Sequence, residues 1–197
     1  MAKPVSLDEY QKFAVRIAAD KELRDKRTAV VYGLGLKGES GEFADIIKKI
    51  LAQGFRLEAS QDKLVKEAGD FYWYVAMTAH QLNTNLSAVM NVDTFGEILP
   101  VESPEACDLF SIGQELLKLD RYVLAVNECM LEFSENNFVR DELAAIEALH
   151  ELFVKFVFIV QLLGFNANTI AQKNIEKLKE RFQGEVFSVE KAVNRVE

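Results

Sequence analysis

The sequence is poor in proline, cysteine and histidine, and each scarcity narrows what the chain can be. Three prolines occur, at positions 4, 100 and 104. The long stretches between them suit helices, where an interior proline costs ~3 kcal/mol, whereas a turn-rich β-protein rarely goes so far without one. The two cysteines, Cys107 and Cys129, have no C-x-x-C spacing, so they read as plain buried thiols in a reducing, cytoplasmic setting. The two histidines, His80 and His150, belong to no ligand-spaced cluster, which argues against zinc. Basic residues are also in deficit, with 23 Lys and Arg against 31 Asp and Glu, for a net charge of -8. Such a field repels polyanions, so nucleic acid is a poor candidate for a bulk partner. The most apolar runs, 71–79 and 152–165, fall short of the ~20 residues that cross a bilayer, and the first residues lack an apolar signal core. No membrane partner is expected.

What is present is a chain of 197 residues, 49% hydrophobic, enough for one sizeable core. The expected class is all-α, a helical bundle. Ser6 before Leu7-Asp8-Glu9 reads as a helix cap, and Leu7, Tyr10, Phe13, Ala14 and Ile17 keep helical spacing. Further helices are expected from about 32 or 35 to 52, from 60 or 61 to 82, and briefly after Leu86. Others follow over about 105–133, 140–163 and 169–182. Gly96, Pro100 and Pro104 make 93–105 the expected boundary between a first half, 1–92, and a second, 105–183, with a tail at 184–197. His80-Gln81-Leu82-Asn83-Thr84-Asn85-Leu86 resembles Val160-Gln161-Leu162-Leu163-Gly164-Phe165-Asn166, and each follows a long apolar helix. A degenerate tandem repeat explains this, as does chance likeness between two buried helices.

Chemistry concentrates in two carboxylate pairs, Glu39/Glu42 and Glu67/Asp70. A spacing of three puts each pair on one face of its helix. Either pair alone is most often a solvated surface. The second, however, runs directly into Phe71-Tyr72-Trp73-Tyr74-Val75, so its charges should lie at the edge of the core, where they need a counter-ion. Four converging carboxylates suit a hard divalent cation, Mg²⁺ or Mn²⁺, with positions left for water and phosphate oxygens. Gly33, Gly35, Gly38 and Gly41 crowd the first pair. The last three would give a bare strip for a close-packed helix or a phosphate, unless they form a flexible loop before a later helix start. Lys37-Gly38-Glu39 lacks the order of a phosphate-binding P-loop. Asn174, Lys177 and Arg181 share one helix face, which suits polyphosphate but also describes an ordinary salt-laced surface. Gln11, Tyr32 and Trp73 could hydrogen-bond or stack on a base, although aromatic residues on an apolar helix are more often core.

In order along the chain, Glu39-Ser40-Gly41-Glu42 within residues 32–49, Glu67-Ala68-Gly69-Asp70 followed by Phe71-Tyr72-Trp73-Tyr74, and Asn174 to Phe182 form the pattern E-x-x-E, E-x-x-D, N-x-x-K-x-x-x-R. This pattern strongly resembles the MazG-like nucleoside triphosphate pyrophosphohydrolases, over roughly the first ninety residues and the last thirty. The resemblance implies an all-α hydrolase in which Glu39, Glu42, Glu67 and Asp70 hold Mg²⁺. Glu39 would also orient or deprotonate the attacking water, and Lys49, Asn174, Lys177 and Arg181 would meet phosphate. Cleavage would fall between the α and β phosphates, and the enzyme would be a homodimer. The chain departs from simple members in the eighty or so residues between the second and third motifs. That insertion looks like a fused, degenerate second copy, as in the related dimeric all-α dUTPases. In it Asp70 would correspond to Glu151 and Glu67 to Ala148, leaving no second metal site. A dUTP/dUDP hydrolase and a non-catalytic nucleotide-binding helical module are the competing readings.

Overall fold

The computed structural model describes residues 4–18, 24–98 and 108–182, and among these it contains seven helices and no strand, an all-α bundle. They are α1 (Leu7–Ile17), α2 (Lys26–Gln53), α3 (Leu57–Gln81), α4 (Leu86–Met90), α5 (Leu109–Asn136), α6 (Glu142–Leu162) and α7 (Ala167–Phe182). Pro100, Pro104, Cys107, the expected helix start at 105 and the tail at 184–197 lie outside the described residues. No described helix is long and apolar enough to cross a membrane.

Three helix starts differ from expectation, one of them that of α5, which begins at Leu109 behind its N-cap Asp108 and so after 105. α2 begins at Lys26, well before 32 or 35, because Asp25 and Thr28 close a reciprocal capping box. The clustered glycines therefore lie inside a 28-residue helix, neither at its start nor in a loop. Their cost of ~1 kcal/mol each is offset by packing along both flanks of α2. α3 begins at Leu57, three residues early, with no side-chain cap at Arg56. α1 starts where Ser6 predicts, its hydroxyl accepting from the Glu9 amide.

α2 packs between α3 and α5, α5 continues onto α6, and α3 carries α1 and α7 on its other side. Aromatic rings tie these layers together. Phe71 of α3 stacks on Phe156 of α6 at 4.0 Å, and Phe43 of α2 meets the same Phe156 edge-on at 5.2 Å. Tyr72 lies between Phe153 and Phe95 at 5.0 and 5.4 Å. The expected boundary segment is thus no loose linker in its described part. Phe95 is buried, and its amide donates to the Val5 carbonyl, while the Leu7 amide donates to Asp93. Both halves contribute to a single apolar cluster.

The turns after α3 and α6 match bond for bond. The amides of Leu82 and Thr84 donate to the carbonyls of Thr78 and Ala79, and those of Leu163 and Phe165 donate to Ile159 and Val160. The intervening residue in each case has positive φ, 58° at Asn83 and 81° at Gly164. These are helix-terminating turns of the left-handed kind. Such turns end many helices, so the likeness fits a repeat and two unrelated buried helices alike.

Because Phe156 touches rings from both α2 and α3, Phe156→Ala is expected to destabilise the protein by about 3–5 kcal/mol. Urea unfolding followed by circular dichroism measures this directly. A loss below ~1 kcal/mol would mean that the stack contributes little to joining the halves.

Candidate metal centre

Three of the four motif acids converge. Carboxylate oxygens of Glu39, Glu67 and Asp70 lie within 4.8 Å of one another, bringing α2 against α3. Glu67 is buried, and Glu39 and Asp70 are half-buried. Glu42, one turn beyond Glu39, is exposed and lies outside the three-carboxylate group, although its charge still reaches Glu39.

Two glycines permit this approach. A Cβ on Gly35 would stand 2.0 Å from the Tyr74 ring, so that ring rests on the α2 backbone one turn before Glu39. A Cβ on Gly69 would stand 2.8 Å from Asn174, so α7 closes on α3 beside Asp70. Gly38 and Gly41 face open space, leaving α2 bare next to its acids. The expected strip is therefore split in use. Gly35 serves packing, and the other two leave room.

Lysines supply much of the charge balance. Lys66 bonds both Glu67 oxygens at 2.9 and 3.1 Å and lies 3.9 Å from Asp70. Lys177 of α7 pairs with Asp70, and Asn174 Nδ2 donates to the same Asp70 oxygen at 3.3 Å. Asn174 is oriented from behind by the buried Tyr10 hydroxyl, which donates to its Oδ1 at 2.7 Å. Burial holds the Tyr10 hydroxyl well above the ordinary tyrosine range, so it remains a donor. Among the described residues nothing pairs with Glu39. Burial first, then the charges of Asp70, Glu42 and Glu67, raise its pKa to about 7.

A cleft of about 330 Å³ opens at Glu39 and Asp70, walled by Tyr32, Trp73 and Tyr74 and closed on the α7 side by Leu178 and Arg181. The Trp73 indole N–H is buried without a partner. Arg181 lies over the Phe182 ring. Arg181 and Trp73 thus border the acids as the sequence suggests. Lys49 does not, because it lies ten residues, or ~15 Å, along α2 from Glu39 and pairs with Asp45 at 2.6 Å. Gln11 is also committed elsewhere. Its Nε2 donates to the Thr84 carbonyl and its Oε1 accepts from the Leu86 amide, clamping α1 to the turn after α3. Lys66, Tyr10 and Tyr74 were not singled out from sequence. Lys66 was within reach, since it stands four residues before Asp70 on the same helix.

The donor set fits a hard cation. It offers three carboxylates, whose oxygens lie within 4.8 Å of one another, and no sulfur or imidazole.

One curated relative, the Gene 37 protein of Mycobacterium phage L5, is 47% identical over 58 residues, 28% of this chain and 51% of that protein. The chain thus matches about half the length of this relative, whose name states no activity. No family model and no solved structure matches.

The raised Glu39 pKa has a signed consequence. Between about 4.5 and about 7 the folded protein retains a proton that the unfolded chain releases. Metal-free stability is therefore expected to fall as pH rises through that window, and Glu39→Gln should remove this component of the slope. Urea midpoints of both proteins at pH 5, 6, 7 and 8 test it. Parallel curves would show that Glu39 titrates normally.

Proposed function

We propose that the protein is a divalent-metal-dependent nucleoside triphosphate pyrophosphohydrolase of the MazG-like type. The observation that carries this reading is the meeting of Glu39, Glu67 and Asp70 beside an aromatic cleft lined by Glu39, Asp70 and Arg181, with Lys177 paired to Asp70. Glu39, Glu67 and Asp70 would hold Mg²⁺ or Mn²⁺, with the charge of Glu42 reaching Glu39 from the exposed side; an ion bound there would screen phosphate charge and acidify water.

The chain's own groups do the rest. Arg181 and Lys177 bind phosphate oxygens, and Arg181 is already at the cleft. Lys177 is the residue that changes partner. Paired with Asp70 here, it would be free to turn to phosphate if a cation took up the Asp70 charge. Asn174, fixed by Tyr10, keeps Asp70 in place throughout. Tyr32 and Trp73 offer ring surface to a base, and the unpaired indole N–H offers one donor. Glu39, with a pKa near the working pH, is suited to take a proton from water. Attack of that water at the α phosphorus breaks the bridge to the β phosphate. The products are a nucleoside monophosphate and pyrophosphate.

The matched turns and paired 28-residue helices also fit one narrower reading, a dUTPase-like enzyme acting on dUTP and dUDP. A panel of nucleoside triphosphates and dUDP with Mg²⁺, with products separated by chromatography, distinguishes the two. Pyrophosphate from several triphosphates supports the broad reading, and turnover confined to dUTP and dUDP supports the narrow one. Asp70→Asn is expected to lower kcat/KM at least about 100-fold. Arg181→Ala should act mainly on KM, by about 10-fold. Nucleotide binding without any hydrolysis would instead identify a non-catalytic module and overturn both.

A further inference from the structure

Lys66 does not take the partner that its spacing gives it. Side chains one position apart on a helix diverge by ~100°, whereas those four apart face each other, so Lys66 belongs by spacing with Asp70. Its ammonium instead bonds both oxygens of the adjacent Glu67, at 2.9 and 3.1 Å, and stops 3.9 Å from Asp70. Only its flexible stem, bent across the helix surface, brings it to the buried acid. Its charge also reaches Glu39, where it works against a pKa rise caused chiefly by burial. One ammonium thus serves all three converging carboxylates. Among the described residues no other side chain bonds Glu67. The Lys66 side chain is nevertheless 53% exposed, against 11% for that of Glu67, so the stem can swing into solvent while the carboxylate stays in place.

We propose that Lys66 is a built-in occupant of the cation position, which a divalent ion displaces and which then turns to the phosphate chain of the ligand. Resting on the metal-site reading above, this makes Lys66 a phosphate-binding residue alongside Lys177 and Arg181. Charge balance gives the reason. Three ionised carboxylates facing Lys66 and Lys177 leave one net negative charge. A divalent ion added to that set, with both lysines retained on the acids, would reverse the sign. Either an ammonium withdraws or an anion joins, and both occur together when the ammonium leaves its acid for a phosphate beside the ion. Lys66 withdraws the more readily of the two, since Lys177 is only 28% exposed.

Removing Lys66 therefore has two effects of opposite sign. Competition for the acids ends, so cation affinity rises. A phosphate partner is lost, so the affinity of the cation-loaded protein for a polyphosphate falls. A lysine that merely held Glu67 in position for the cation would lower both on removal.

Isothermal titration calorimetry on the whole chain tests this, first with Mn²⁺ alone and then with inorganic pyrophosphate at saturating Mn²⁺. Lys66→Met is expected to bind Mn²⁺ at least about 5-fold more tightly than the unmodified chain, and pyrophosphate at least about 5-fold more weakly. Lys63→Met, one turn earlier on α3 and exposed, should change neither by more than ~2-fold, because its charge is screened by solvent. Lys66→Arg keeps a cation on Glu67 and so protects the fold; its two-bond grip on a carboxylate should weaken Mn²⁺ binding. Weaker or unchanged Mn²⁺ binding by Lys66→Met overturns the exchange, as does an equal response from Lys63→Met or undiminished Mn²⁺ binding by Lys66→Arg. Unchanged pyrophosphate binding overturns the phosphate role. Both readouts are of binding, so a protein that hydrolyses nothing can still show the exchange, whereas an unmodified chain that binds no Mn²⁺ overturns the metal-site reading and the exchange together.

Discussion

The arrangement depends on holding several carboxylates together at the rim of an apolar core. Glu39, Glu67 and Asp70 repel one another, and the repulsion is expressed at the one without a cation, Glu39, whose pKa rises to about 7. Lys66 and Lys177 pair with the other two. Charges so placed are costly to bury singly, and pairing makes them tolerable without making them a source of stability. Stability comes from the rings beneath, where Phe71, Phe156 and Phe43 join three helices. The core thus supports an electrostatically strained rim.

Close backbone approach is the second requirement. Gly35 admits the Tyr74 ring and Gly69 admits Asn174, each within one turn of an acid. A side chain at either position would push a neighbouring helix away from the carboxylates. Both glycines sit inside helices, where alanine is intrinsically favoured, so local helix stability yields to tertiary contact at these two points. The same trade explains why a helix with four glycines can begin as early as Lys26.

The second half serves mainly as a scaffold. α6 supplies Phe153 and Phe156 to the shared cluster, and α5 flanks α2. Its helices lack the converging acids, so its contribution to the site is rigidity. Its last helix, α7, is the exception, returning to α3 and delivering Asn174 and Lys177 to Asp70 within the same chain. The separation of about eighty residues between the motifs is spanned by the fold itself.

The class was legible from sequence because proline scarcity and helical spacing are local properties, and the motif acids were legible because three-residue spacing fixes a helix face. Asn174, Lys177, Arg181 and Trp73 were likewise read from pattern, and tertiary structure brings them to the acids. Lys49 and Gln11 are engaged away from the acids for one reason. Spacing along a helix gives direction around its axis but not the neighbour in that direction, and these two meet Asp45 and the backbone after α3. The roles of Lys66, Tyr10 and Gly69 depend on contacts across helices, in the case of Tyr10 and Asn174 across 164 residues. Sequence by itself determined helices, faces and charge. Which faces meet was decided by packing, because the burial of one ring or the absence of one Cβ sets distances that no local pattern encodes.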